Sequence, residues 1–255
     1  MQAQRRGVRA ARRPCPMETG GSIDGPDLSI HEDTRRAMYD YAKARLAMVN
    51  SQIRPSDVTD HRIQDAMGET SRELFVPKSQ IAKAYADAEV LVGENRTMLR
   101  PREFAKLVQA AKIGPKDVVL DIACGRGYST AILARLAETV IGLETADSGL
   151  AAKASDRLSK VGADNAVVIE GDLAEGVPGQ GPFDVIIVQG AVAEPSPAWI
   201  EQLAEGGRLA VIERDGVVGR AMIYTKARGV TGERAVFDAA PPYLPGFEPV
   251  SSFEF

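Results

Sequence analysis

The chain has 255 residues, 44% hydrophobic and 26% charged, with Gly 24 and Pro 15, a globular composition long enough to bury a substantial core. No apolar run approaches the roughly 18 residues that cross a bilayer. Two distant cysteines (Cys15 and Cys124) and two histidines (His31 and His61) argue against a disulfide scaffold, a metal site and histidine-driven catalysis. The net charge of −4 hides an acidic body: five arginines (Arg5, Arg6, Arg9, Arg12, Arg13) lie in residues 1–16, leaving 26 bases against 35 acids elsewhere. Such a balance disfavours nucleic acid as a partner, because phosphate contacts need clustered positive charge.

The basic head lacks the apolar segment of a secretory signal and reads as a disordered tail or an over-extended start, with Met17 or Met38 as the beginning. Residues 18–31 are rich in Gly, Pro and Asp and read as a linker. Over 32–51, Met38, Tyr41, Ala42, Leu46 and Val49 fall near helical spacing, and a second helix is predicted over 61–69 with Asp60 or Thr59 as its N-cap. Residues 85–100 read as irregular, and Pro101 opens a helix through about Lys112 with Phe104, Leu107 and Val108 on one face. Residues 32–100 are thus expected to supply N-terminal helices and a substrate-side loop, ahead of a domain over 101–255.

From Gly114 onward, strands at 118–123, 139–144, 166–170, 183–188 and 208–213 alternate with helices at 130–137, 149–161 and 197–204. Each strand is apolar almost throughout, the pattern of a parallel sheet covered on both faces. Two further candidate strands, 220–226 and 233–238, bring the count to seven. The expected fold is α/β: a doubly wound, mostly parallel, Rossmann-like seven-stranded sheet with an N-terminal helical extension. The aromatic tail (Phe237, Tyr243, Phe247, Phe253, Phe255) is expected to pack over the sheet edge, and Trp199 to sit in the core.

In such sheets ligands bind beyond the carboxyl ends of the strands. The loop there runs Asp121-Ile122-Ala123-Cys124-Gly125-Arg126-Gly127-Tyr128. A dinucleotide fingerprint would place a third glycine where Thr130 stands, and Asp121 would repel a pyrophosphate but pair with an ammonium group. Glu144, ending the second strand, is placed for the two hydroxyls of a ribose, and Gly171-Asp172 after the third strand for an adenine amino group. An amino-acid end, a ribose and an adenine without phosphate describe S-adenosylmethionine, whose sulfonium suits acidic walls. Tyr128 is a candidate cover for its methionyl end. Cys124 reads as packing rather than as a nucleophile. Taken singly, Glu144 is equally a solvated strand end and Asp172 a turn former.

Several separate segments then resemble the protein-L-isoaspartate O-methyltransferase family, over about residues 38–214. Arg72-Glu73-Leu74-Phe75-Val76-Pro77 is similar to its RExFVP segment and Ala84-Tyr85-Ala86-Asp87 to its AYxD, while residues 121–128 are similar to its cofactor loop. Gly171-Asp172, Gly176-Val177, Pro182-Phe183-Asp184 and Ile186 resemble its signature around the third and fourth strands. The resemblance implies a class I methyltransferase fold with S-adenosylmethionine held by Asp121, Ala123, Gly125, Gly127, Tyr128, Glu144, Asp172 and Leu173. It also implies methyl transfer to the α-carboxylate of isoaspartyl residues in damaged proteins or peptides; from composition and charge the expected location is the cytoplasm, with no metal, membrane or nucleic-acid partner. Two positions depart from the family. Its GQTIS-type stretch is Asn95-Arg96-Thr97-Met98-Leu99 here, so the serine that helps hold the substrate carboxylate is Leu99, and its Gly-Asp-Gly is Gly171-Asp172-Leu173. Thr97, Arg96 and Arg100 are the substitute candidates for that carboxylate. A small-molecule acceptor, or cofactor binding without catalysis, stands as the alternative reading.

Overall fold

In the computed structural model, residues 40–250 are described, and the expectations for the basic tail, the linker, Phe253 and Phe255 lie outside them. Strands β3 (Val118–Ile122), β4 (Thr139–Glu144), β5 (Ala166–Glu170), β6 (Phe183–Val192), β7 (Leu203–Asp215), β8 (Val218–Ala227) and β9 (Val230–Asp238) form one sheet in the order β5-β4-β3-β6-β7-β8-β9. The first five pair in parallel and the last three as an antiparallel meander. Both faces of the centre are dry, which is why these strands read as unbroken apolar runs. Val119, Val185 and Ile187 point into one core, and their neighbours Leu120, Ile186 and Val188 into the other.

The first core is closed by α3 (Pro101–Ala111), whose Phe104, Leu107, Val108 and Ala111 are buried in one stripe, and whose Pro101 opens the helix at a position needing no N–H. The N-terminal helices α1 (Tyr41–Met48) and α2 (His61–Glu69) join the same core through Met48, Ile63, Ala66 and Met67. Asp60 caps α2 as expected, its side chain accepting from Arg62 N. Helices α4 (Tyr128–Ala134), α5 (Ala151–Lys160) and α6 (Pro197–Glu201) connect the parallel strands.

Three segments differ from their expectations. Residues 85–100 are not irregular: β1 (Val90–Gly93) and β2 (Arg96–Met98) form an antiparallel hairpin, with Val90 opposite Met98 and Leu91 opposite Thr97. Its arms are too short to print an alternation, and Asn95 turns the chain at φ +52, a left-handed conformation that asparagine tolerates. Helix α6 is shorter than 197–204 because Leu203 is taken into β7 opposite Phe183. Of the aromatic tail, Phe237 lies in the edge strand β9 as expected, whereas the segment from Pro242 to Phe247 crosses the end of the central strand β6. Tyr243 bridges Ala191, and Phe247 lies 5.3 Å from Trp199, which is fully buried as expected.

Candidate active site

The loop after β3 owes its shape to alternating left-handed residues: Ala123 (φ +62), Gly125 (φ +60) and Gly127 (φ +88). Such alternation turns successive amides toward one side and makes a concavity suited to a ligand's polar end. Gly127 is required twice, because a Cβ there would also sit 3.1 Å from the Ala154 Cβ on α5. At Ala123 an alanine holds a conformation that normally selects glycine, so the loop stores strain beside the site.

Asp121, the last acid of β3, is completely buried. Its Oδ2 accepts from Ser129 Oγ at 2.6 Å and Thr130 Oγ1 at 2.7 Å, and its Oδ1 from Gln189 Nε2 at 2.7 Å. Burial outweighs these three donors and pushes its carboxyl up to about 6. Ser129, Thr130 and Gln189 were not anticipated. Gln189 carried the one usable signal, a polar residue directly after the apolar run 183–188, and it lies inside β6. Cys124 is buried in the same loop, and desolvation raises its thiol well above the usual range, in keeping with packing rather than nucleophilic attack.

Glu144, ending β4, is also fully buried. Its Oε2 accepts from Gly125 N at 2.9 Å, while its Oε1 accepts from Thr145 N at 2.9 Å and from Arg96 Nη2 at 2.6 Å. Arg96 belongs to the hairpin, so the hairpin is tied down onto the cofactor loop. A second tie runs from Arg126 Nε to Val92 O at 2.8 Å. Arg96 is therefore buried against the strand end that the sequence assigned to a ribose, and among the described residues its Nη1 has no partner. Arg100, at the base of the hairpin, donates to Glu89 at 2.7 Å with Glu103 at 3.9 Å. Asp172 is exposed, its Oδ1 accepting from Ala174 N at 2.8 Å, whereas Leu173 is buried and its carbonyl accepts from Trp199 Nε1 at 2.7 Å.

Hairpin and loop enclose a cavity of about 20 Å³. Thr97, Met98 and Leu99 line it from one side and Ala123, Cys124 and Gly125 from the other, with Arg72, Tyr128 and Gln189 completing the wall. The loop and the acidic strand ends suit a cationic nucleoside in chemistry. Arg96, held on Glu144, occupies the carboxylate that the sequence assigned to the ribose. Among the described residues no group of His, Cys, Asp and Glu is arranged for a metal, and no helix is long and apolar enough to span a membrane.

A mostly parallel seven-stranded sheet, a GxG loop after its first strand and acids ending the first two strands define a class I methyltransferase, the cofactor of which is S-adenosylmethionine. The sequence pattern of "Protein-L-isoaspartate(D-aspartate) O-methyltransferase" matches residues 43–230, and the chain belongs to that family. A protein-L-isoaspartate O-methyltransferase of Koribacter versatilis is 39% identical over 171 residues, covering 67% of this chain and 77% of that one. One of Methanoregula boonei is 40% identical over 184 residues, covering 72% and 82%. Among solved structures, a protein-L-isoaspartate O-methyltransferase superposes with a TM-score of 0.70 at 24% identity over 79% of this chain and 66% of that one. A Plasmodium falciparum chain described as a beta-aspartate methyltransferase, in complex with S-adenosyl-L-homocysteine, superposes at 0.67 with 20% identity over 78% and 97%. The two superpositions agree on the fold.

Proposed function

We propose that this methyltransferase esterifies the α-carboxylate of isoaspartyl residues in proteins or peptides, in the cytoplasm. The observation that carries the reading is the shared cavity: Thr97, Met98 and Leu99, the stretch assigned to the acceptor, face Ala123, Cys124 and Gly125 of the cofactor loop across it. Donor and acceptor segments would therefore meet there.

When bound, S-adenosylmethionine supplies an electrophilic methyl on a cationic sulfur. A carboxylate is already ionised, so the chain needs to provide no strong base, and its work is alignment and exclusion of water. Phe104, Leu99, Val92 and Met98 supply the apolar part of that wall. Glu144 would hold the ribose hydroxyls after releasing Arg96, and Asp121, kept oriented by Ser129, Thr130 and Gln189, would face the ammonium end. Ala123, Gly125 and Gly127 would let the ligand approach the backbone, with Asp172 and Leu173 flanking the adenine and Tyr128 the methionyl end. Thr97 is the one hydroxyl of the acceptor stretch on the cavity wall. Arg96 and Arg100 are spent on Glu144 and Glu89, so either would reach a substrate carboxylate only after exchanging its partner.

Leu99 is buried and apolar where a hydroxyl would hold the isoaspartyl carboxylate, which favours a small-molecule acceptor as the second reading. Incubating the purified protein with an isoaspartyl peptide and methyl-labelled cofactor decides between them. Labelled base-labile ester on the isoaspartyl peptide, and none on the aspartyl control, is expected. Bound S-adenosylhomocysteine with no ester would reject the first reading, and turnover on a metabolite panel would establish the second.

A further inference from the structure

Arg72 lies in the segment that resembles RExFVP, and it is completely buried. Its Nε donates to Ala84 O at 2.8 Å and its Nη2 to Leu99 O at 2.7 Å, both neutral carbonyls. Its guanidinium carbon stacks 4.6 Å from the centroid of the Tyr128 ring. Among the described residues no carboxylate pairs with it. Neighbouring Glu73 instead accepts from the Tyr85 hydroxyl. Two donors of this stacked pair, Arg72 Nη1 and Tyr128 Oη, are buried close to each other but make no hydrogen bond of ordinary geometry among the described residues, and both residues line the cavity between hairpin and cofactor loop. A buried cation without a counter-ion is costly, and orphaned donors beside it add to the cost. Such an arrangement persists at sites that a ligand completes.

We propose that Arg72 and Tyr128 form an anion seat for a ligand carboxylate, gripped by Arg72 Nη1 and Tyr128 Oη. A carboxylate fits better than a phosphate because Asp121 and Glu144, both buried in the adjoining strand ends, would repel a dianion. The stack on Tyr128 and the two carbonyl bonds fix the guanidinium in advance, so little freedom is lost on binding. The seat explains how a cavity walled by Leu99 still offers charge-assisted donors to a carboxylate. Two carboxylates have the right chemistry: the isoaspartyl α-carboxylate, which rests on the function proposed above, and the methionyl carboxylate of the cofactor, which does not.

Tyr128→Phe removes only the orphaned hydroxyl, so it should leave the melting temperature of the ligand-free protein unchanged or slightly higher. Arg72→Lys keeps the charge and loses the fork. Calorimetry of both variants with S-adenosylhomocysteine and with methylthioadenosine, which lacks the amino-acid end, is combined with KM and kcat for an isoaspartyl peptide. A roughly 10-fold weaker S-adenosylhomocysteine affinity with methylthioadenosine unchanged places the methionyl carboxylate in the seat. A roughly 10-fold higher peptide KM with unchanged cofactor affinity places the acceptor there. Folded Tyr128→Phe and Arg72→Lys proteins with wild-type values throughout overturn the seat. If the wild type binds S-adenosylhomocysteine but methylates no isoaspartyl peptide, the acceptor reading alone falls. The seat is then judged on the two nucleosides, and wild-type affinity of the variants for both overturns it.

Discussion

Arg96 Nη2 donates to Glu144 Oε1 at 2.6 Å, joining the hairpin to the end of β4 in a buried ion pair. The bond occupies the carboxylate proposed for a ribose, so the ligand and Arg96 would compete for one group. A ligand that must first displace a contact binds more weakly by the fraction of time the site is open.

Arg96→Gln is expected to uncouple the two. Removing one partner of a buried pair costs about 3–5 kcal/mol, so the ligand-free protein should melt several degrees lower. The freed Glu144 should then take S-adenosylhomocysteine on the order of 10-fold more tightly. Thermal melts with calorimetry check both signs, and weaker binding would show that Arg96 assists the ligand instead of competing with it.

Asp121 makes the site sensitive to pH. Its carboxyl is raised from the ordinary 3.8 to about 6 by burial, so over that window the folded protein holds a proton that the unfolded chain releases. Stability attributable to this group is present below about 4 and lost as pH rises through about 6. Measured against Asp121→Asn, the difference should change by on the order of 2–3 kcal/mol between pH 4 and 7.5. A cationic ligand prefers the ionised form, so S-adenosylmethionine binding should strengthen through the same window in the wild type and stay flat in the variant. Denaturant melts and titrations across pH 4–7.5 give both curves.

Gly127→Ala should fail on two counts. A left-handed alanine costs about 1–2 kcal/mol, and its methyl would meet the Ala154 Cβ at 3.1 Å. A loss of about 2–4 kcal/mol is expected, with cofactor binding abolished. Adding Ala154→Gly relieves the collision but not the backbone strain, so a double-mutant melt should recover only part of the loss.

Trp199→Phe removes the indole N–H that serves the Leu173 carbonyl at 2.7 Å. A buried carbonyl left unpaired costs about 1–3 kcal/mol, lowering the melting temperature by roughly 2–12 °C. Leu173 follows the proposed adenine partner Asp172, so S-adenosylhomocysteine affinity should fall with it, which calorimetry reads directly.

Much of the sheet was legible along the chain because buried parallel strands cannot alternate in polarity, and runs such as Val118–Ile122 and Thr139–Glu144 announce themselves. The hairpin at Val90–Met98 was not, because three- and four-residue arms carry no period and their pairing depends on what lies beneath. Helix α6 ended early for a similar reason: pairing of Leu203 with Phe183 overrode the local helical pattern.

The sequence by itself determined that acids would end successive strands beside a glycine loop, since residue type and strand order suffice to place a side chain at a sheet's carboxyl end. Only the tertiary structure decided what those acids touch. Asp121 is held by Ser129, Thr130 and Gln189, Glu144 by Arg96, and Arg72 is left beside Tyr128 without a carboxylate. Such partnerships join residues up to 68 positions apart. They follow from burial, because a group removed from water must take whichever donor or acceptor the fold brings within about 3 Å, and local pattern carries no record of that choice.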